Sequence, residues 1–253
     1  MSAGVREVAT EGAGPLVGAL ALAAVYVLGP RLRPLGRKHP RRWLSVAAGA
    51  SMAYVFLDVL PELGSRHRAL VESAGDLLFA EQRLYALALA GFVVLYAVDH
   101  LALAARARGE PGEGRDEDEA DLALWLHAGG FALYSLVIGY MLVSRRADGW
   151  ASLGLYLAAM GFHFAIVDHV LAREHGRAYD AGGRWVLAAS VLAGWLAGAT
   201  LRVPEVAISR CFAFVAGGVV MTSANEELPR DKDGRFGWFV LGAAVYGAVL
   251  LAV

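Results

Sequence analysis

Long apolar runs separated by short clusters of charge make up most of this chain. The runs fall at roughly 14–30, 43–63, 84–105, 122–143, 150–172, 185–203, 206–225 and 236–253. Each is close to the ~20 residues that cross a hydrocarbon core as a helix. Their apolar positions are continuous rather than alternating, which selects helices over strands. Only helices or closed barrels satisfy the backbone in lipid. The pattern therefore predicts an all-α fold: a polytopic membrane protein with a bundle of about eight transmembrane helices, forming one domain over residues 1–253.

Composition agrees with this. Of 253 residues, 57% are hydrophobic and 19% charged, with a mean hydropathy of +0.49. Soluble domains carry more charge and less apolar content. The net charge of −1 argues against a nucleic-acid partner, leaving membrane lipids as the main surroundings. Cys211 is the only cysteine, so a disulfide framework and a thiolate metal cluster are both excluded. Met1 to Ala13 lacks the basic region that precedes a signal-peptide core, so no cleavage is expected.

Basic residues choose the orientation, because cytoplasmic loops collect Lys and Arg. The segments after runs one, three, five and seven include Arg31, Lys38, Arg106, Arg173, Arg184 and Lys232. They hold 15 of the 23 basic residues, and the opposite face holds 8. Both termini are therefore expected outside, with the chain in the plasma (inner) membrane of a bacterium. The segment at about 106–121 is expected to be a short acidic cytoplasmic loop. From Gly109 to Asp121 it carries seven acids among Gly and Pro, a composition that suits a solvated linker.

Ionisable side chains at bilayer depth cost at least a few kcal/mol and are functional candidates by default. Run two ends with Asp58 and Glu62, four residues apart, and Ser51 and Tyr54 are expected to extend the same helical face. Run three carries Asp99 and His100, and run four carries His127. Run five carries His163, Asp168 and His169, and run seven ends with Glu226 and Glu227. With the expected orientation, Asp99 and His100 lie ~9–11 Å from the inner end of their helix, and His127 ~9 Å from the inner end of its own. Asp168 and His169 fall at a similar depth. The polar groups are thus expected to form an outer station (Asp58, Glu62), a middle layer, and an inner station (Glu226, Glu227).

Imidazole and carboxylate together suit Zn²⁺ and other first-row divalent ions. No run carries a closely spaced His pair, so a site has to be assembled between helices. Val98-Asp-His in run three is echoed by Val167-Asp-His in run five. A carboxylate beside an imidazole can fix its tautomer. Gly129, Gly130, Gly139, Gly217 and Gly218 permit close helix approach, either within the bundle or to a second copy in a homodimer.

The layout resembles the ZIP (Zrt/Irt-like) divalent metal transporters. Leu57-Asp-Val-Leu-Pro-Glu62 resembles that family's His-x-x-Pro-Glu ending, with Asp58 in place of His. Asn225-Glu-Glu-Leu-Pro229 is similar to its carboxylate-rich ending of span seven. Eight spans, external termini and a polar loop between spans three and four also match. The family's His-Asn-x-x-Asp-Gly strip is reduced here to His127-Ala-Gly-Gly-Phe-Ala132. Its His-Glu-x-Pro-His-Glu strip becomes His163-Phe-Ala-Ile-Val-Asp168. The resemblance implies a divergent member without the usual two-metal centre. It retains one site from His127, His163 and Asp168, supported by Asp99, His100 or His169.

The expected function is transport of a divalent cation, zinc first and Mn, Fe or Co after it, carried as cargo rather than as a permanent cofactor. No enzymatic activity is expected. The depleted motifs leave a second reading, a transport-inactive ZIP-like sensor or membrane partner. A third is an intramembrane metal-dependent hydrolase, but the sequence shows no Ser-base arrangement for it.

Overall fold

A computed structural model describes the backbone of residues 2–35, 40–74, 80–108, 117–147, 149–201, 203–223 and 236–252. Every regular element among them is helical: α1 (Ser2–Leu35), α2 (Pro40–Tyr54), α3 (Leu60–Ala74), α4 (Ala80–Arg108) and α5 (Glu117–Ala147). These are followed by α6 (Trp150–Ala178), α7 (Arg184–Thr200), α8 (Glu205–Thr222) and α9 (Phe236–Ala252). Two π-helical turns, Val55–Val59 and Tyr179–Gly183, join α2 to α3 and α6 to α7.

Six stretches of the described residues are long and apolar enough to cross a membrane. They are Ala13–Arg31, Arg42–Arg66, Gln82–Leu101, Leu124–Ser144, Trp150–Thr200 and Glu205–Thr222. The fold is therefore an all-α one of membrane type. Val17, Leu20, Leu89, Val93, Phe236 and Leu251 are exposed, as suits helices whose solvent is lipid. The stretch from Trp150 to Thr200 is 51 residues, far beyond the ~20 that one crossing requires. Gly176 breaks it, with φ 55° and ψ −125°, a conformation that glycine adopts without the Cβ penalty. Helix α9 is apolar throughout but has only 17 residues.

Some local expectations change. The connection between runs five and six is a tight turn rather than an open loop: the helix continues through Arg173 to the break at Gly176, and residues 177–183 stay helical and lead directly into Arg184. Within the expected acidic segment at 106–121, α4 extends to Arg108 and α5 begins at Glu117; residues 109–116 lie outside the described residues. The π turn at Val55–Val59 also breaks the expected polar face. Its extra residue rotates the succeeding turns of helix, so the buried positions run Ser51, Val55, Val59, Leu63, while Asp58 and Glu62 fall on the half-buried flank.

The chain packs as two compact units, Met1–Lys38 with Ala128–Arg202, and His39–His127 with Val203–Val253. In the first, α1, α6, α7 and the greater part of α5 bury Leu22, Tyr26, Ile138, Leu142, Phe164, Leu171, Leu187 and Val191. In the second, α2 pairs with α9 and α4 with α8, burying Ala47, Tyr54, Leu63, Leu84, Leu95, Phe212 and Ala216.

Three helix pairs close backbone to backbone through a glycine from each partner. In α2 and α9, Gly49 faces the carbonyl of Phe239 and Gly242 that of Val46. In α4 and α8, Gly91 faces the carbonyl of Phe214 and Gly217 that of Ala88. In α5 and α7, Gly139 faces the carbonyl of Val191 and Gly194 that of Leu136. A Cβ at any of the six would overlap a carbonyl oxygen. Such approach suits membrane helices, which associate by van der Waals fit and weak Cα–H···O contacts rather than by hydrophobic expulsion. The expected close approach is seen at Gly139, Gly217 and Gly218. Gly129 is different, with nothing within 4 Å of its would-be Cβ.

Gly217→Ala is expected to cost about 1–3 kcal/mol, because backbone has to move to admit the methyl group. Gly154→Ala, in open space on α6, should be neutral or stabilising. Thermal unfolding in detergent compares the two; equal melting temperatures would contradict this packing.

Candidate polar sites within the two units

In the second unit, α4 and α5 bring Asp99 and His127 together. His127 Nε2 lies 3.5 Å from Asp99 Oδ1, with side chains 4% and 18% exposed respectively. Asp99 sits two residues before the end of the apolar stretch Gln82–Leu101, and His127 three residues after the start of Leu124–Ser144. Each is thus within about one turn of an end of its own apolar stretch. His100, adjacent to Asp99, is turned outward: it is exposed and stacks on Tyr96 with ring centroids 6.3 Å apart.

At the end of the second stretch, Glu62 Oε1 accepts from Arg66 Nε at 2.8 Å, and Arg66 Nη2 lies 2.7 Å from the same oxygen. The Arg66 guanidinium also lies over the Phe212 ring of α8, 5.0 Å from its centroid. Asp58 stands within the π turn, half-buried. Glu226 and Glu227, the expected inner station, lie outside the described residues.

The first unit carries its own buried polar core. Tyr179, at the start of the π turn and fully buried, donates its hydroxyl to Asp168 Oδ1 at 3.0 Å. The Asp168 carboxylate packs directly against Gly29 of α1, where a Cβ would overlap both oxygens. On α1, one turn before Gly29, the Tyr26 hydroxyl is 3.2 Å from Ser135 Oγ of α5, and its ring stacks on Phe164 at 4.8 Å. His163 is 1% exposed, with its ring 5.3 Å from Tyr134 and 6.4 Å from Phe164. Tyr156 donates to the carbonyl of Ile138 at 3.0 Å. His169 is half-buried, as are Glu174 and His175 just before the break at Gly176.

Of the expected ligands, the structure joins Asp99 with His127. His163 and Asp168 are five residues apart on one helix, so they project about 140° from each other. The polar partners Tyr26, Tyr134, Ser135 and Tyr179 carry no distinguishing mark in the sequence. Tyr and Ser are ordinary in apolar helices, and only packing reveals which of them meet a buried acid.

Compared with known proteins, the chain matches no family model and no curated sequence.

Removing one partner of a buried hydrogen bond leaves the other desolvated, at a cost of about 1–3 kcal/mol. Tyr179→Phe and Asp168→Asn should each lower the melting temperature, and the double variant should lose less than the sum. Strict additivity in that cycle would show that the two side chains are not coupled.

Proposed function

We propose that the chain is a ZIP-like carrier for a divalent metal cation, zinc first, in the plasma (inner) membrane of a bacterium. The observation that carries this reading is the His127–Asp99 pair, an imidazole and a carboxylate brought from two apolar helices to 3.5 Å. A tetrahedral zinc with ordinary bonds to nitrogen and oxygen holds those two atoms ~3.4 Å apart. The resting geometry therefore needs little adjustment to accept the ion. Two protein ligands leave the remaining positions to water, which suits a cargo that must bind and then leave.

Asp58 and Glu62 would attract the cation at one end of the second stretch, and Glu226 and Glu227 would receive it at the end of the seventh run. The eight-span arrangement with external termini belongs to this same proposal, supported by the six membrane-length stretches and the distribution of basic residues.

A second reading, a membrane sensor or partner that binds metal without moving it, is favoured by one observation. Asp168, the surviving acid of the family's span-five strip, is engaged by Tyr179 and packed against Gly29. A carboxylate committed to packing is a poor member of a transit path.

Reconstituted protein should take up Zn²⁺ into liposomes, and His127→Ala combined with Asp99→Asn should reduce initial flux by about tenfold or more, the scale on which metal-site residues act. Undiminished flux in that double variant would remove the site. Stoichiometric zinc binding by calorimetry without any wild-type flux would favour the sensor reading.

A further inference from the structure

Glu62 is one of the acids expected to attract a cation, yet it already holds one. Arg66, one turn along α3, places two guanidinium nitrogens 2.7–2.8 Å from Glu62 Oε1. The pair is more than a surface i,i+4 contact. The Glu62 and Arg66 side chains are 17% and 23% exposed, and the guanidinium is also seated against the Phe212 ring of α8. Held from both sides, Arg66 is pre-positioned and cannot leave by simple side-chain rotation without giving up the ring. It cannot leave by deprotonation either, because guanidinium stays charged at any working pH. It is also the last residue of its membrane-length stretch, in the turn that succeeds the π turn bearing Asp58.

We infer that Arg66 is a tethered competitor for the Glu62 carboxylate, whose contacts at Oε1 a divalent cation must displace in order to take that oxygen. It therefore sets how tightly this end of the second stretch holds a cation. The inference rests on the carrier reading for the identity of its ligand. Its chemistry is a direct exchange: the carboxylate gives up two N–H···O contacts and gains a metal–oxygen bond, with Asp58 one turn away as a second oxygen donor. Carboxylate oxygens suit harder divalent ions such as Mn²⁺ as well as Zn²⁺. A tethered guanidinium would weaken binding of both, shortening their stay and favouring passage over retention.

The test measures Mn²⁺ binding to the full chain in lipid nanodiscs, following the free ion by electron paramagnetic resonance. Losing a charge-assisted pair of this kind should make binding about tenfold tighter in Arg66→Gln than in the wild type. Arg66→Lys, which keeps the charge but loses the two-nitrogen grip and the planar stacking, should fall between them. Adding Glu62→Gln to Arg66→Gln should abolish the gain. Equal affinity in wild type and Arg66→Gln, with both folded by thermal unfolding, would overturn the inference. If Arg66→Gln does not fold, Arg66→Lys decides: tighter binding than wild type supports the inference, and unchanged binding overturns it. Metal flux into liposomes, measured on the same preparations, separates the two claims. The predicted affinity order without any flux would leave the competitor in place and remove the carrier reading. Flux with no change of affinity would do the reverse.

Discussion

Close backbone approach at glycine is the constraint on which the rest of this fold depends. In lipid there is no water to expel between helices, so α2 and α9, α4 and α8, and α5 and α7 gain by fit alone. Each pair sets a glycine of one helix under a carbonyl of the other, twice over, and a single methyl would wedge the contact open. Helix placement then decides which polar side chains meet. Asp99 lies two turns beyond Gly91 on α4, and Asp168 reaches its position only because α1 offers Gly29. The polar chemistry is thus downstream of the packing.

The two units treat their intramembrane polar groups differently. In the first unit, Tyr26 with Ser135, Tyr179 with Asp168 and Tyr156 with Ile138 are side-chain contacts in the buried interior. Their role there is to fix helices and the α6–α7 turn, because an unmatched polar group in an apolar interior costs more than the bond gains. In the second unit, Asp99 and His127 stand at 3.5 Å, a separation long for a hydrogen bond. Glu62 is held by the Arg66 guanidinium, which also lies over the Phe212 ring.

The helical membrane character is legible from hydropathy alone, because runs near 20 apolar residues have few other uses. The edges of the helices are less so. The acidic residues from Glu117 onward look like loop by their charge, yet α5 starts there. The tight α6–α7 connection is hidden because basic residues resemble loop residues whether or not the backbone stays helical. The π turn at Val55–Val59 stands just before Pro61, whose missing N–H and ring disturb the helical ladder at Leu57, and it moves Asp58 and Glu62 off the expected face. For the site, the pairing of His127 with an acid of another helix is foreseeable in kind. The capture of Asp168 by Tyr179 is not, since it depends on a turn whose course no local pattern encodes.

The central functional claim is that Asp99 and His127 bind a divalent cation between α4 and α5. X-ray absorption at the zinc edge, on purified protein loaded with one equivalent of Zn²⁺, tests it most directly. A shell of nitrogen and oxygen ligands with an imidazole signature that is lost in His127→Ala is the predicted result. A spectrum of hydrated zinc in the wild type, or an imidazole signature unchanged in His127→Ala, would contradict it.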